Sequence, residues 1–458
     1  MAEEPDRPGE EQSLPVAMAI PPFRDAITIW ARIGCLSFGG PAGQIALMHR
    51  EFVDERRWIS NRRFLHALNF CSFLPGPEAQ QLATYLGWLM YGAKGGFAAG
   101  LLFILPGAFL MLILSALFAV FGEVPFVSAV FYGLQCAVLV LVVEALLRIA
   151  RRALRGRAGW VLAGLSFVAL AVFGVPFPFV IVFAGITGMI FADHFRLAHP
   201  TGDSDTPEAL IDHLLVNDPA RVGRLALSAR RAGITALIVW AIPLLVLLPI
   251  GGLYADIVWF FSKMAVVTFG GAYAVLAYVA QEAVQGYQWL SPSDMLTGLG
   301  LAETTPGPLI LVLQFVGFLA GYRAETGLNG MAGGLAGAVL TLWVTFAPCF
   351  AFVFLGAPLA EKLLDHRLFS GALAAITASI VGVIANLALW FAVHVFFKDV
   401  QTLAVGAHQL EIPVLSSLDP TAVLIAALAA FSLFYAQRGM GQTLLIAAAT
   451  GVVLRFVS

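Results

Sequence analysis

The sequence has little charge for its length. Lys, Arg, Asp and Glu make up 12% of its 458 residues, whereas 60% are apolar. A soluble globular protein carries about 25% charged residues, so these charges are too few to keep a chain of this size in water. The apolar residues form uninterrupted runs, such as 161–192, 330–355 and 369–397, near or above the about 20 residues that span a bilayer as a helix. The sequence therefore predicts an all-α polytopic membrane protein.

Cysteine is scarce, and the usual catalytic motifs are missing. Cys35, Cys71, Cys136 and Cys349 lie inside apolar segments without a CxxC pair, which argues against a disulfide framework and a zinc site. Walker A, HExxH and GxSxG motifs are absent, and the histidines lack metal-ligand spacing. No basic stripe supports nucleic-acid binding. We therefore expect no enzymatic activity, catalytic residues, metal, cofactor or nucleic-acid partner.

Two long stretches of the sequence repeat each other at a fixed separation. Phe38-Gly39-Gly40 recurs as Phe269-Gly270-Gly271, and Pro75-Gly76-Pro77 recurs as Pro306-Gly307-Pro308, each 231 residues further on. Glu51, Trp58 and Ser60 recur as Glu282, Trp289 and Ser291 at the same separation. Beyond Tyr91 and Tyr322 the alignment needs an insertion, after which Pro106 matches Pro348. The chain is therefore an internal duplication.

The duplication divides the chain into five parts. We predict a cytoplasmic tail (1–23), a first repeat (24–192), a cytoplasmic linker (193–232), an extra transmembrane helix (233–252) and a second repeat (253–458). Each repeat holds a broken FGG segment, a polar loop with Trp, a stretch split by PGP, two long helices and a short pair. Whether the FGG and PGP segments are re-entrant or cross the membrane fully stays open at this point.

Positive charges give the orientation of the two copies. The loops 49–63, 148–157 and 193–231 contain five Arg each, whereas 281–294, the counterpart of the first loop, contains no Lys or Arg. Because Lys and Arg mark cytoplasmic loops, the first three loops are predicted inside and 281–294 outside. The second copy is then an inverted repeat of the first.

The duplicated breaks predict an anion site. Gly and Pro end helices, and irregular backbone at membrane depth is tolerated where it lines a wet cavity or is buried in protein. Pro41 and Pro77 are predicted at the first position of a new half-helix, whose free N–H groups and partial positive charge would face the break. Paired breaks in inverted repeats indicate a transporter's binding site; the alternative is a set of structural kinks.

Intramembrane cations and hydrogen-bond donors accompany the breaks. Arg32 and Lys263 lie at equivalent positions shortly before FGG, and a buried cation indicates either a functional site or a snorkelling side chain. Neutral donors suit an oxyanion, which only accepts hydrogen bonds. The candidate substrate-binding residues are Arg32, Ser37, Phe38, Gly39, Gly40, Pro41, Gln44, Pro75, Gly76, Pro77, Lys263, Thr268, Gly270, Gly271, Thr304, Thr305, Pro306, Gly307 and Pro308.

Three carboxylates are candidates for ion coupling. Glu78 follows the first PGP, Glu303 precedes the second, and Glu144 aligns with Asn386 in a long helix. A permanent negative charge would repel an anion, so a protonatable coupling group is one interpretation. For Glu78, a partner of the helix N-terminus is the other.

The motifs resemble a known family. FGGPAGQIALMHREFVDERRW with FCSFLPGPEAQQLATYLGW, and FGGAYAVLAYVAQEAVQGYQWL with TTPGPLILVLQFVGF, are similar to the two halves of long-chain chromate ion transporters. Gln44 and Ala272 depart from the expected pattern. The resemblance implies chromate export across the bacterial inner membrane, driven by the membrane potential or a proton gradient, and chromate resistance as its result.

Other functions stay open from the sequence alone. The substrate could be sulfate or another oxyanion instead of chromate. From a different class, the chain could be a membrane-embedded enzyme acting on a lipid precursor, or a sensor or assembly subunit. The predicted partners are a chromate-like or sulfate-like oxyanion and the lipid bilayer, with a homodimer left open.

Overall fold

The two predicted copies have matching series of helices. The computed structural model describes residues 20–457 except 155, 196–208, 270–271, 326, 360–366 and 406–407. The first copy contains α1 (Phe23–Leu36), α2 (Gly40–His49), a π-helical turn (Arg50–Glu55), α3 (Asn61–Phe73), α4 (Glu78–Phe121), α5 (Pro125–Ala153), α6 (Arg157–Ala171) and α7 (Phe177–Ile190). Between the copies lie α8 (Leu210–Asn217) and α9 (Pro219–Leu247).

The second copy repeats this order. It contains α10 (Leu253–Val267), α11 (Ala272–Gln281), a π-helical turn (Glu282–Gly286), α12 (Pro292–Thr304), a 3₁₀ turn (Leu309–Leu311), α13 (Val312–Tyr322), α14 (Gly330–Gly356), α15 (Arg367–Phe396), α16 (Pro420–Ala430) and α17 (Met440–Val457). The bounds of α3 and α12 are separated by the same 231 residues as the sequence motifs. The pair α13 and α14 corresponds to the single helix α4, which breaks at Tyr91–Gly92, where Gly92 has a left-handed φ of 67°.

Within the described residues, five helices are long and apolar enough to cross a membrane. They are Glu78–Phe121, Pro125–Ala153, Gly223–Leu247, Gly330–Gly356 and Ser370–Phe396. Their lengths agree with the about 20 residues that a spanning helix needs. The prediction of a polytopic helical membrane protein is confirmed.

Serine caps fix where the half-helices after the Trp loops begin. The Ser60 side chain accepts a hydrogen bond from Arg63 N at the start of α3. Ser291 does the same for Asp294 N at the start of α12, and the Asp294 side chain accepts in return from Ser291 N. This reciprocal capping box satisfies backbone donors that the first turn of a helix leaves free.

The copies exchange their closing helices. The first copy's α6 and α7 pack along α15, whereas α16 and α17 of the second copy pack along α5. Small residues allow close approach: a Cβ added at Gly188 of α7 would lie 2.4 Å from the carbonyl oxygen of Gly371 in α15. Such contacts are typical of membrane helix packing. Each copy therefore depends on the other for its core.

Two regions differ from the sequence prediction. The predicted linker 193–232 contains α8 and the first turns of α9, so the extra helix starts earlier than the predicted residue 233. A β-hairpin of β1 (Val400–Val405) and β2 (His408–Pro413) follows α15 and was not predicted. Most of the tail 1–23 lies outside the described residues.

Candidate anion site

The broken segments of one copy contact those of the other. Gly76 N, in the first PGP, donates to the carbonyl oxygen of Thr268 at 2.8 Å, and Gly307 N, in the second PGP, donates to that of Ser37 at 2.9 Å. Gly76 and Gly307 are equivalent, as are Ser37 and Thr268. The two hydrogen bonds are therefore the same contact made twice, once in each direction. Each bond therefore joins the FGG segment of one copy to the PGP segment of the other.

Glycine makes both kinds of break possible. Gly39 and Gly40 have φ of 86° and 70°, and Gly76 and Gly307 have φ of 123° and 91°. Residues with a side chain rarely adopt this left-handed region of backbone φ. Gly270 and Gly271, the counterparts of Gly39 and Gly40, lie outside the described residues.

The half-helices that follow the first-copy breaks have no side-chain caps. Neither α2 nor α4 has a side-chain hydrogen bond at its N-cap, so their first N–H groups stay available. Pro41 is the second residue of α2, and Pro77 is the N-cap of α4. The prediction that both prolines occupy the first helical position is wrong by one residue in each case. In the second copy, a 3₁₀ turn separates Pro308 from α13.

The long helices hold the PGP loops of the opposite copy. A Cβ at Gly107 of α4 would lie 2.0 Å from the carbonyl oxygen of Pro306. In the equivalent contact, a Cβ at Gly76 would lie 2.8 Å from Cys349 Sγ of α14. The loop backbones therefore fit against the helices without space for a further side chain.

Gln44 joins the two kinds of break. Its Nε2 donates to the carbonyl oxygens of Gly307, at 2.6 Å, and of Ser37, at 3.2 Å. The side chain is 1% exposed, and its Oε1 has no hydrogen-bond partner among the described residues. A buried amide with one unpartnered end is rare, so this amide has capacity for a further contact.

The predicted hydroxyl donors bond to their own helices. Ser37 Oγ donates to Ile33 O and Thr268 Oγ1 to Met264 O, both at 2.5 Å. Thr304 and Thr305 donate to carbonyls three residues earlier. These hydroxyls would have to rotate before they could bind an oxyanion. Phe38 is 48% exposed and projects away from the buried contacts.

Arg32 and Lys263 lie in different surroundings although they are equivalent. The Arg32 side chain is 58% exposed, and its Nη1 lies 3.9 Å from Oε1 of the buried Glu51. Glu51 also forms an ion pair with Arg56. Lys263 Nζ instead lies 5.8 Å from the ring centroid of Phe260 and 5.6 Å from that of Tyr278. One cation is paired with a carboxylate and the other with aromatic rings.

The carboxylates beside the PGP loops each accept a hydroxyl. Ser72 Oγ donates to Glu78 Oε2 at 3.1 Å, and Tyr273 OH donates to Glu303 Oε1 at 2.5 Å. Ser72 and Glu303 are equivalent positions, but Glu78 corresponds to Leu309 and Tyr273 to Ala42, so the two hydroxyl–carboxylate pairs are built differently.

Arg148 is a candidate site residue that the sequence interpretation did not include. It forms a two-pronged ion pair with Glu144, with Arg148 Nε donating to Glu144 Oε1 at 2.9 Å. The interpretation assigned Arg148 to a cytoplasmic loop because the apolar run ends just before it. The spacing of four residues between Glu144 and Arg148 is the signal that could have placed the pair on one helix face.

Comparisons with known proteins identify the family. The family model of chromate transporters matches residues 25–189 and 255–454. The chain belongs to the chromate transporter family. The two matched regions agree with the two copies, the resemblance in the sequence motifs is confirmed, and the chain is a transporter-family protein and not an enzyme.

Individual relatives of this transporter support the assignment. A "Chromate transport protein" of Pseudomonas aeruginosa is 33% identical over 408 residues, which cover 85% of this chain and 86% of the relative. Another of the same name, from Cupriavidus metallidurans, is 25% identical and covers 79% of both chains. The "Uncharacterized transporter YwrB" of Bacillus subtilis is 32% identical over 154 residues, 34% of this chain but 77% of the relative. No solved structure matches.

Proposed function

We propose that this chain is a secondary transporter that exports chromate across the bacterial inner membrane and so confers chromate resistance. Two relatives, which cover 85% and 79% of its length, are named chromate transport proteins. Chromate is a tetrahedral oxyanion, and its transport needs a site that offers hydrogen-bond donors and positive potential inside the membrane.

The reciprocal hydrogen bonds of Gly76 with Thr268 and of Gly307 with Ser37 carry the proposal. Each bond joins the segment before one uncapped half-helix of the first copy, α2 or α4, to buried irregular backbone of the second copy. Each helix N-terminus supplies roughly half a positive charge. Two such termini are short of the charge of a dianion, so side-chain cations are needed as well. Arg32 and Lys263 are proposed to attract the anion toward the breaks.

The path of α9 supports opposite orientations of the two copies. Near its start, Arg221 Nη2 donates to Met90 O and Leu225 O accepts from Trp88 Nε1. In the same region Tyr91 OH donates to Pro21 O, just before α1. The stretch Gly223–Leu247 then continues for 25 residues, or about 38 Å, before α10 begins the second copy. The two copies would therefore begin at opposite membrane faces.

Three carboxylates offer a means of coupling. Glu78 and Glu303 lie beside the PGP loops, with Ser72 and Tyr273 as their hydrogen-bond donors, and Glu144 lies on α5. A carboxylate that takes up a proton loses its repulsion toward an anion. We propose that one or more of these groups couple chromate movement to the proton gradient.

Transport into inside-out membrane vesicles tests the proposed function. Radiolabelled chromate should accumulate in vesicles from cells that express the chain, more strongly when a membrane potential or a proton gradient is imposed. Gly164→Leu is a matched control for substitutions at the breaks, since a Cβ at Gly164 meets no atom within 4 Å. Accumulation of sulfate in preference to chromate would change the substrate, and accumulation of neither would contradict the proposal.

A further inference from the structure

The guanidinium of Arg148 lies near the carboxylates of Glu144 and Glu303, and Glu303 precedes the PGP break of the second copy. Arg148 holds both oxygens of Glu144, and the two side chains are 25% and 24% exposed. Glu303 is 8% exposed and accepts the hydroxyl of Tyr273. Arg148 interacts electrostatically with Tyr273 and with Glu303 as well as with Glu144. These four groups are called the Arg148 cluster below.

The packing of α12 along α5 brings the cluster together. Gln135 Nε2, on α5, donates to Ser293 Oγ at 2.8 Å and to Thr297 Oγ1 at 2.9 Å. One turn later, a Cβ at Gly300 would lie 3.1 Å from Val138 Cγ2. The two helices therefore advance in the same direction, and the Gly300–Val138 contact puts Glu303 at the level of residue 141 of α5, about one turn before Glu144. Helical side chains lean toward the N-terminus of their helix, so the Arg148 side chain, which reaches back to Glu144, extends toward the level of Glu303.

The charges of the Arg148 cluster do not balance. The cluster holds two carboxylates but one guanidinium, which within the described residues is paired with Glu144 alone, and burial makes an uncompensated charge costly. Two like charges also disfavour each other's ionisation. Neutrality of the cluster therefore requires one proton. Tyr273 donates a hydrogen bond but carries no positive charge. No other group of the cluster therefore compensates the second carboxylate.

Other charged groups near α5 have their own partners. Arg152, one turn beyond Arg148, interacts with Glu78. Asp419 and Arg455 act on Tyr132, near the other end of α5, about 24 Å along the helix from Arg148. On α15, His394 Nε2 lies 3.5 Å from Glu411 Oε2. None of these is among the groups that the structure records as interacting with Arg148.

We propose that Arg148 is the cation that binds the transported oxyanion, and that proton uptake by the Arg148 cluster releases it from Glu144 for this purpose. The proposal rests on the proposed function. A carboxyl that has taken up the proton no longer forms the ion pair with Arg148. The planar guanidinium can then donate two hydrogen bonds to two oxygens of a tetrahedral anion. One proton then enters the site with each anion, so that binding strengthens as pH falls.

Equilibrium binding to the purified full-length protein tests this assignment. Radiolabelled sulfate is the probe for the pH series, because chromate itself takes up a proton near neutral pH, and chromate is measured in parallel at one pH. Linkage to one proton predicts an affinity change of up to about tenfold per pH unit. Arg148→Gln should lower affinity at least tenfold, and Arg148→Lys less. Glu144→Gln should bind more tightly at high pH and lose most of the pH dependence.

Two further variants separate binding from a structural role. Arg151→Gln removes the same charge from an exposed position on the same helix and should bind as wild type does. If Arg148 only neutralises Glu144, the double variant Glu144→Gln with Arg148→Gln should recover binding, whereas the proposal predicts that it stays weak. Recovery in the double variant, or an unchanged pH dependence in Glu144→Gln, would overturn the proposal.

The failure of this assignment is distinguishable from the failure of the proposed function. If wild type accumulates chromate in vesicles and Arg148→Gln does so equally well, Arg148 is not the binding cation although the transport function stands. If wild type neither binds nor accumulates chromate or sulfate, the proposed function fails and the role of Arg148 fails with it.

Discussion

The first and second copies share their backbone breaks and differ in the chemistry around them. In the first copy, neutral Gln44 joins the FGG break to Gly307 of the opposite copy. Its counterpart in the second copy is the apolar Val275, and the nearby Tyr273 donates to Glu303, which precedes the second PGP. The duplicated backbone therefore supplies a nearly symmetric frame, and the side chains make it asymmetric.

The two ends of the molecule differ in a similar way. At the Trp58 loop, α8 covers the surface: Leu210 N and Ile211 N donate to Arg57 O and Trp58 O, and Arg63 pairs with Asp212 at 2.7 Å. The equivalent place in the second copy is a cavity of about 460 Å³ lined in part by Trp289, Ser291, Asp294 and Arg323. The segment between the copies thus covers one end and leaves the other open.

The largest expected effect on transport comes from substituting the PGP glycines, of which each copy has one. Gly76→Leu and Gly307→Leu should abolish chromate transport in vesicles while membrane insertion is retained. At both positions the backbone has a left-handed φ that a residue with a side chain rarely adopts. At Gly76 the added Cβ would also lie 2.8 Å from Cys349 Sγ and from Gln81 Nε2. Gly164→Leu should transport normally. Wild-type transport in both PGP variants would mean that the breaks are ordinary kinks.

Gly39→Leu should be less harmful than Gly76→Leu. A Cβ at Gly39 meets no atom within 4 Å, so only its φ of 86° opposes the substitution, at a cost of about 1–2 kcal/mol. Comparing vesicle transport by the two variants at matched expression measures how much the tight contact adds to backbone strain. Equal loss in both would show that the free space beside Gly39 is itself required.

Gln44→Val makes the first copy resemble the second. It leaves the buried carbonyls of Ser37 and Gly307 without the Gln44 donor, at a cost of about 1–3 kcal/mol, so thermal stability and transport should both fall. The reverse exchange, Val275→Gln, introduces an amide into a fully buried apolar position and should also destabilise. If Gln44→Val keeps wild-type stability, the link between the two breaks is unimportant.

Arg32 and Lys263 should show smaller effects than Arg148. Arg32→Gln leaves Glu51 with Arg56 as its partner, so transport should fall severalfold without loss of folding. Lys263→Arg keeps a cation near the rings of Phe260 and Tyr278 and should be the mildest change. Transport rates at increasing chromate concentration check this order. Retention of full activity by both Arg32→Gln and Lys263→Gln would support the snorkelling interpretation.

The smallest expected difference lies in the helix caps. Ser291→Ala breaks a capping box, whereas Ser60→Ala breaks a single cap. Loss of a cap costs typically about 1 kcal/mol, and Ser291→Ala should cost more because Ser291 Oγ also donates to Asp294 Oδ2. Thermal unfolding of the purified variants measures both, with transport unchanged at permissive temperature. A larger loss in Ser60→Ala would contradict the comparison.

Much of the fold follows from the sequence because its signals are local. Glycine and proline interrupt helices wherever they lie, so the breaks at Gly39 and Gly76 were predictable from their residue types. The contacts of Gly76 with Thr268 and of Gly307 with Ser37 join residues that are far apart in sequence, and no local pattern encodes them. The helices in 209–231 and the hairpin β1–β2 were missed because their polar residues resemble loops.

The candidate site was predicted less completely than the fold. Ser37, Thr268, Thr304 and Thr305 were expected to offer hydroxyls, but their direction depends on rotamers, and the structure turns them to helix carbonyls. Arg148 was missed because five arginines in 148–157 indicate a cytoplasmic loop, and its burial depends on how far α5 continues.

Labelling of single cysteines at equivalent positions tests most directly whether the two copies face opposite ways. Arg62 and Ser293 are equivalent and exposed, one in the Arg-rich loop and the other in the loop without Lys or Arg. In a variant without the four native cysteines, Arg62→Cys and Ser293→Cys are treated with an impermeant maleimide in intact cells and in inside-out vesicles. The account predicts that Ser293→Cys is labelled only from the periplasm and Arg62→Cys only from the cytoplasm. Labelling of both from the same side would contradict it.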